Sequence, residues 1–272
     1  MIKIDASQAI GVFDSGLGGL TVAREIFKHL PNEDVIYFGD TGRTPYGPRS
    51  KDIIIEFSRQ DTKFLLEQNV KMIVVACNTA SAQALDIIRE EFDVDMIGVI
   101  EPGAVSAVKA TKNGKIGIIG TVGTISSDAY AKTIARLDPK IKAFSLACPL
   151  FVPLVDEGYI DKPATKLIAE DYLAPFKTSG IDTLILGCTH YPLLKGVIHD
   201  VLGNDIVLID SAEETAQAVY QRLLRLNLMR EKTANALNKF YVSDFPERFH
   251  QVARHFLGNQ IRNVIRIDIT KY

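Results

Sequence analysis

Two cysteines, Cys77 and Cys188, stand in matching sequence settings. Each ends an apolar run, Met72-Ile73-Val74-Val75-Ala76-Cys77 in one case and Thr183-Leu184-Ile185-Leu186-Gly187-Cys188 in the other. Each is followed by a residue able to cap a helix, Asn78 or Thr189. A helix start carries partial positive charge, so both thiols are expected to ionise more readily than a free thiol, whose pKa is about 8.5. A single cysteine at a strand end is most often buried structure. Two at equivalent places point to chemistry instead. Paired bases on opposite sides of a cleft suit the inversion of a carbon centre, one removing a proton and the other delivering one to the far face. A metal site would need more ligands, and no Cys-x-x-Cys or clustered histidine lies near either cysteine. A redox pair would more often show close spacing, and a disulfide fits poorly with an odd count of three cysteines. The third, Cys148, has no counterpart and reads as core.

The elements that must position these thiols follow from periodicity. Ile10–Phe13, Val35–Phe38, Met72–Val75 and Met96–Ile100 read as strands, and the pattern restarts with Ile116–Ile119, Ala143–Leu146, Thr183–Leu186 and Ile206–Ile209. Amphipathic helices alternate with them. Leu20, Ala23, Ile26, Phe27 and Leu30 make one apolar face, and Ile53, Ile54, Phe57, Phe64 and Leu65 another. This alternation predicts an α/β protein with mainly parallel sheet. Ile10-Gly11-Val12-Phe13-Asp14-Ser15-Gly16 matches Ile116-Gly117-Ile118-Ile119-Gly120-Thr121-Val122, which predicts two pseudo-symmetric lobes with a ligand in the cleft between them. The expected boundary falls near Glu101-Pro102. Residues 1–100, joined by the tail from about 211 to 272, would form the first lobe, and residues 101–210 the second.

Other candidates cluster at predicted strand ends. Asp14 and Ser15 follow the first strand. Asp14 alone could simply cap the next segment; next to Cys77 it could handle a proton or hold an ammonium. Asn78, Thr79 and Thr189 can donate to an anion at a helix start. The loop Pro45-Tyr46-Gly47 could receive a second carboxylate through backbone N–H groups. Thr121 and Thr124 are weaker candidates. Gly16-Leu17-Gly18-Gly19 resembles a dinucleotide loop, but Thr21 occupies the third glycine position, so the fingerprint fails. These glycines are expected to let the backbone approach a substrate closely.

Asp14-Ser15-Gly16-Leu17-Gly18-Gly19, Pro45-Tyr46-Gly47, Cys77-Asn78-Thr79 and Gly187-Cys188-Thr189-His190-Tyr191-Pro192, in this order, resemble the glutamate racemase family. The resemblance runs from about Ile10 to at least Ser211. It implies interconversion of L- and D-glutamate without a cofactor or metal, supplying D-glutamate for peptidoglycan. It implies that Cys77 takes the α-proton from the D-isomer and Cys188 from the L-isomer. Asp14 would assist the first thiol and His190 the second, with Asp14, Ser15, Tyr46, Gly47, Asn78, Thr79, Thr189 and His190 binding substrate. It also implies a homodimer. The sequence departs from the family at Val155-Asp156-Glu157-Gly158, where Glu is common at the position of Asp156. Either acid could serve the second thiol. The chain has little before its first strand, so activation by a cell-wall precursor, seen in relatives with an N-terminal extension, is not expected. Aspartate racemase and a non-catalytic small-anion binder are the competing readings; a one-cysteine decarboxylase leaves the second thiol unexplained.

Composition sets the outer limits. The 272 residues are 47% hydrophobic and 24% charged, an ordinary globular balance. A net charge of −2 gives no bulk attraction to nucleic acid or a membrane surface. No apolar run is long enough to span a bilayer, and the first residues lack a signal-peptide pattern. With reduced thiols, the cytoplasm is the expected location.

Overall fold

A computed structural model describes residues 4–231, 236–258, 261 and 263–272. Ten strands occur among the described residues: β1 (Ala9–Asp14), β2 (Val35–Gly39), β3 (Val70–Val75), β4 (Asp95–Gly98), β5 (Lys115–Gly120), β6 (Lys142–Ala147), β7 (Thr183–Gly187), β8 (Val207–Ile209), β9 (Asn238–Val242) and β10 (Val264–Arg266). They form two sheets with orders β10-β9-β2-β1-β3-β4 and β6-β5-β7-β8. Every pairing is parallel. The order β2-β1-β3-β4 recurs as β6-β5-β7-β8, so the repeat visible in sequence is also a repeat of topology.

The central strands β1 and β3 are buried throughout, as expected where helices cover both faces of a parallel sheet. Alternate residues enter different cores. Ile10, Val12, Met72 and Val74 join one cluster, and Phe13, Ile73 and Val75 the opposite one. Burial of each such side chain stabilises the fold by about 1.5–3 kcal/mol. The second sheet repeats this division, with Ile116, Ile118 and Ile185 on one side and Ile119, Leu184 and Leu186 on the other.

The helix Ser211–Leu226 starts where the Asp210 carboxylate accepts from Ala212 N at 3.1 Å. Its Ala212, Ala216, Val219 and Leu223 pack with Leu20, Ala23, Ile26 and Phe27 of the helix Leu20–His29. β9 then pairs with β2, extending the first sheet. Sequence periodicity missed β9 and β10, which are short and partly exposed. One predicted helix face is also rotated. Ile53 is exposed, and the buried side of the helix Lys51–Glu67 carries Ser58, Asp61 and Thr62 beside Ile54, Phe64 and Leu65. Among the described residues, no helix is long and apolar enough to cross a membrane.

In both sheets the strand order reverses beside the first strand. Parallel sheets bind ligands at such switch points, beyond the carboxyl ends of the strands. Asp14 ends β1 and Cys77 lies just beyond β3, while Thr121 follows β5 and Cys188 follows β7.

At the other end of β3, Lys71 is wholly buried. Its ammonium donates to Glu33 Oε2 at 2.5 Å and to the carbonyls of Ala6 and Leu228, each at 2.8 Å. Burial lowers the Lys71 pKa, and the Glu33 contact opposes that shift. Replacing Lys71 with Ala should cost about 3–5 kcal/mol, because it strands the Glu33 charge in the interior. Urea denaturation measures this; a change below about 1 kcal/mol would contradict the assignment of a paired buried charge.

Candidate active site

The cysteines do not sit as the sequence predicts. Asn78 was expected to cap the helix Asn78–Gln83. The cap is Cys77 itself, whose sulfur accepts from Ala80 N at 3.5 Å. Its thiol also donates to Ser15 Oγ at 3.6 Å. The expected downward shift is absent. Burial first, then the Asp14 charge, push the Cys77 pKa up to about 12, against the hydrogen bonds from Ala80 and Ser15. Desolvation disfavours a thiolate more than a six-residue helix can favour it. After Cys188 no α-helix starts directly. A turn at Thr189-His190 leads into the 3₁₀ segment Tyr191–Leu194, so Thr189 caps no helix.

Cys188 has a different neighbour. Its sulfur lies 3.7 Å from His190 Nδ1, and His190 Nε2 lies 3.1 Å from Asp156 Oδ1. Burial pulls the imidazolium pKa down. The hydrogen bonds to Asp156 and Cys188, together with their charges, outweigh burial and hold it well above the ordinary 6.5. The ambiguity between the two adjacent acids is thereby resolved. Asp156 meets His190, while Glu157 is exposed and pairs with Arg248 at 3.4 Å.

Asp14 is fully buried, with Oδ2 accepting from Gly16 N at 3.0 Å. Burial raises its pKa, opposed by the His190 charge and by the backbone N–H groups of Gly19, Gly16 and Ser15. Its other oxygen, Oδ1, has no hydrogen-bond partner among the described residues. Asn78 accepts from the Tyr130 hydroxyl at 2.7 Å, and its buried amide Nδ2 has no hydrogen-bond partner among the described residues. One free acceptor and one free donor therefore stand among the strand-end residues.

Ser15, Thr44, Pro45, Tyr46, Gly47, Cys77, Asn78, Thr79, Thr121, Val152, Cys188, Thr189 and His190 line one cavity of about 20 Å³. All the residues predicted for catalysis or substrate binding except Asp14 are on its wall; of the two weaker candidates, Thr121 is there and Thr124 is not. Tyr46 lines the cavity, and its hydroxyl is engaged by Asp40 at 2.5 Å and Asp61 at 3.0 Å. Cys148 is core, packed with Phe151 and Tyr191.

Contacts between the sheets close the cavity. Thr79 Oγ1 meets Thr121 Oγ1 at 2.8 Å, Thr121 meets Thr124 at 3.1 Å, and Gly123 N donates to Gly47 O at 3.0 Å. The glycines serve this closure. A Cβ on Gly18 would lie 2.1 Å from Thr189 Oγ1, and one on Gly47 would lie 2.7 Å from Thr121 Cβ. The expected close approach at Gly18 is thus to the opposite sheet. Sequence reasoning missed Tyr130, Val152, Asp40 and Asp61. Asp61 alone had a local signal, a charge four residues after Phe57 and four before Leu65, both on the predicted apolar helix face.

Two repeated parallel sheets, each presenting a thiol at its switch point to one cavity, define a class of two-sheet proteins with paired cysteines at the site. A family model described as Asp/Glu/hydantoin racemase matches residues 44–219. A glutamate racemase of Geobacter metallireducens is 47% identical, covering 96% of this chain and 97% of that one. The crystal structure of a glutamate racemase isoform from Bacillus anthracis superposes with a TM-score of 0.92 at 43% identity, covering 96% of this chain and 97% of that one. A Francisella tularensis glutamate racemase, solved in complex with D-glutamate, gives a TM-score of 0.92 at 40% identity, covering 98% of this chain and all of that one. The chain belongs to the Asp/Glu/hydantoin racemase family, among its glutamate racemases.

The charge on His190 is measurable. Its titration, followed by NMR of the labelled imidazole, should have a midpoint well above 6.5. Asp156→Asn should lower that midpoint, because burial is then less opposed. The stabilisation His190 gives the fold is full below its unfolded pKa and is lost as pH rises through the folded value. An unchanged midpoint in Asp156→Asn would contradict the pairing.

Proposed function

We propose that this protein interconverts L- and D-glutamate by two-base proton transfer between Cys77 and Cys188, supplying the D-isomer for peptidoglycan. The observation that carries the reading is one sulfur from each repeated sheet on the wall of a single cavity. The relatives and solved structures named glutamate racemase support the substrate.

The two sulfurs have different neighbours. Cys77 is buried beside Asp14 and holds its proton. Cys188 has the His190 imidazole 3.7 Å from its sulfur, placed to exchange a proton with it. Cys188 then removes the α-proton of L-glutamate while Cys77 delivers a proton to the opposite face. After turnover the roles reverse for the D-isomer. Asp14 Oδ1 accepts from the substrate ammonium, and Asn78 Nδ2 donates to a substrate carboxylate. Tyr46 and Gly47 offer backbone N–H groups to the other carboxylate. These donors also hold the charge that develops as the α-carbon loses its proton.

We further propose that the sheets act as two lobes, residues 1–100 with about 211–272 and residues 101–210. A cavity of about 20 Å³ holds about one water, so glutamate enters only when the lobes part. The contacts that must open are Thr79 with Thr121, Gly123 with Gly47, and Gln83 Nε2 with Gly123 O at 2.7 Å. Closure around substrate then excludes water from the carbanion-like transition state.

The purified enzyme should racemise both glutamate isomers and leave aspartate nearly unchanged, as followed by circular dichroism. Cys77→Ser and Cys188→Ser should each lose about a hundredfold or more in kcat, the loss expected when a general acid–base group is weakened. Binding of glutamate without turnover in the wild type would identify an anion-binding protein and sink the proposal. Faster turnover of aspartate would reassign the substrate.

A further inference from the structure

Beneath the Pro45-Tyr46-Gly47 wall of the cavity lies a polar cluster that proton transfer at the sulfurs does not use. Asp40 and Asp61 are wholly buried and share one cation, Arg43. Arg43 Nε donates to Asp40 Oδ2 at 2.6 Å, and its Nη2 donates to Asp61 Oδ1 at 3.0 Å. The guanidinium also bonds Gln60 and stacks 4.0 Å from the centre of the Phe57 ring. Its position is therefore fixed from three sides. The Tyr46 hydroxyl stands between the two acids, 2.5 Å from Asp40 Oδ2 and 3.0 Å from Asp61 Oδ2.

Counting protons decides the charge states. A tyrosine hydroxyl has one hydrogen to donate. It cannot satisfy two carboxylates at once, so one of the two short oxygen–oxygen contacts needs a proton from the acid. Asp40 receives the closer donors from both Arg43 and Tyr46, which is the environment of the ionised partner. We infer that Asp61 is a neutral carboxylic acid that donates its own proton to Tyr46, and that this proton positions the Tyr46–Gly47 segment against the active site. The chain of donors then runs from Asp61 to Tyr46 to Asp40, and the single Arg43 charge is balanced by the single Asp40 charge. Burial and the Asp40 charge raise the Asp61 pKa well above the usual carboxylate range; Arg43 and the Tyr46 hydrogen bond oppose them, and Asp14 adds a smaller upward push. Were Asp61 ionised, two anions would share one cation in a dry site, and one would lose the Tyr46 bond.

Asp61 is a positioning residue. It acts through Tyr46, and the neighbouring Gly47 carbonyl accepts from Gly123 of the second sheet. The neutral isostere Asp61→Asn can reproduce both of its contacts, accepting from Arg43 through Oδ1 and donating to Tyr46 through Nδ2. Asp61→Ala can reproduce neither.

The direct test is an infrared difference spectrum at neutral pH between wild type and Asp61→Asn. The wild type should show the C=O stretch of a protonated carboxyl, sensitive to hydrogen–deuterium exchange, and the variant should lack it. Loss of a carboxylate band instead would overturn the inference. The kinetic arm rests on the proposed role of the Tyr46–Gly47 backbone in holding a substrate carboxylate. Asp61→Asn should keep kcat/KM for glutamate within about threefold, whereas Asp61→Ala should raise KM about tenfold or more with a smaller change in kcat. Asp61→Asn as impaired as Asp61→Ala would also contradict a neutral Asp61. The infrared arm does not depend on substrate, so a failed functional reading and a failed protonation state give different results.

Discussion

A sulfur buried away from water can carry charge only beside a compensating cation, and the active site is organised around that constraint. Cys188 has one: His190 stands 3.7 Å from its sulfur, and Asp156, 3.1 Å beyond, keeps the imidazole charged against the pull of burial. Cys77 has none. Its neighbours are the Asp14 carboxylate and the Ser15 hydroxyl, and its thiol stays protonated. Repeated topology would, on its own, deliver two equivalent thiols. The residues around them differ: an imidazole stands beside Cys188, and a carboxylate and a hydroxyl stand beside Cys77, whose thiol keeps its proton.

Keeping the cavity dry depends on contacts between the sheets rather than within them. Gly18 and Gly47 permit an approach to Thr189 and Thr121 that any Cβ would prevent. Thr79 then joins the two sheets through hydroxyl contacts of 2.8 Å to Thr121 and 3.4 Å to Thr124. Each such bond is modest in net free energy, about 0.5–1.5 kcal/mol. Hydroxyl contacts suit a site that must both exclude water and admit an amino acid.

Much of this was readable in the sequence because it rests on local pattern. Strands β1, β3, β5 and β7 are continuous apolar runs, and their repeated end residues mark the positions of Cys77 and Cys188. Other parts depend on long-range placement. Tyr130 comes from a helix 52 residues further along the chain to orient Asn78, and nothing in its local sequence signals that. Asp40, Arg43, Tyr46 and Asp61 converge only once the helix Lys51–Glu67 packs over the loop. The expected low pKa of Cys77 failed for a related reason. A helix start is visible in sequence, whereas full desolvation beside a carboxylate becomes visible only when the chain is folded. Choosing between Asp156 and Glu157 likewise required the fold, because adjacent residues point to different places.

The central claim is that different sulfurs serve the two faces of the α-carbon. It is tested most directly by starting from unlabelled L-glutamate in deuterated water and measuring Cα deuterium at low conversion, separately in product and in remaining substrate. The account predicts D-glutamate fully deuterated at Cα while the remaining L-glutamate stays protiated. Deuterium entering L-glutamate as fast as D-glutamate forms, or product retaining the substrate's own proton, would contradict it.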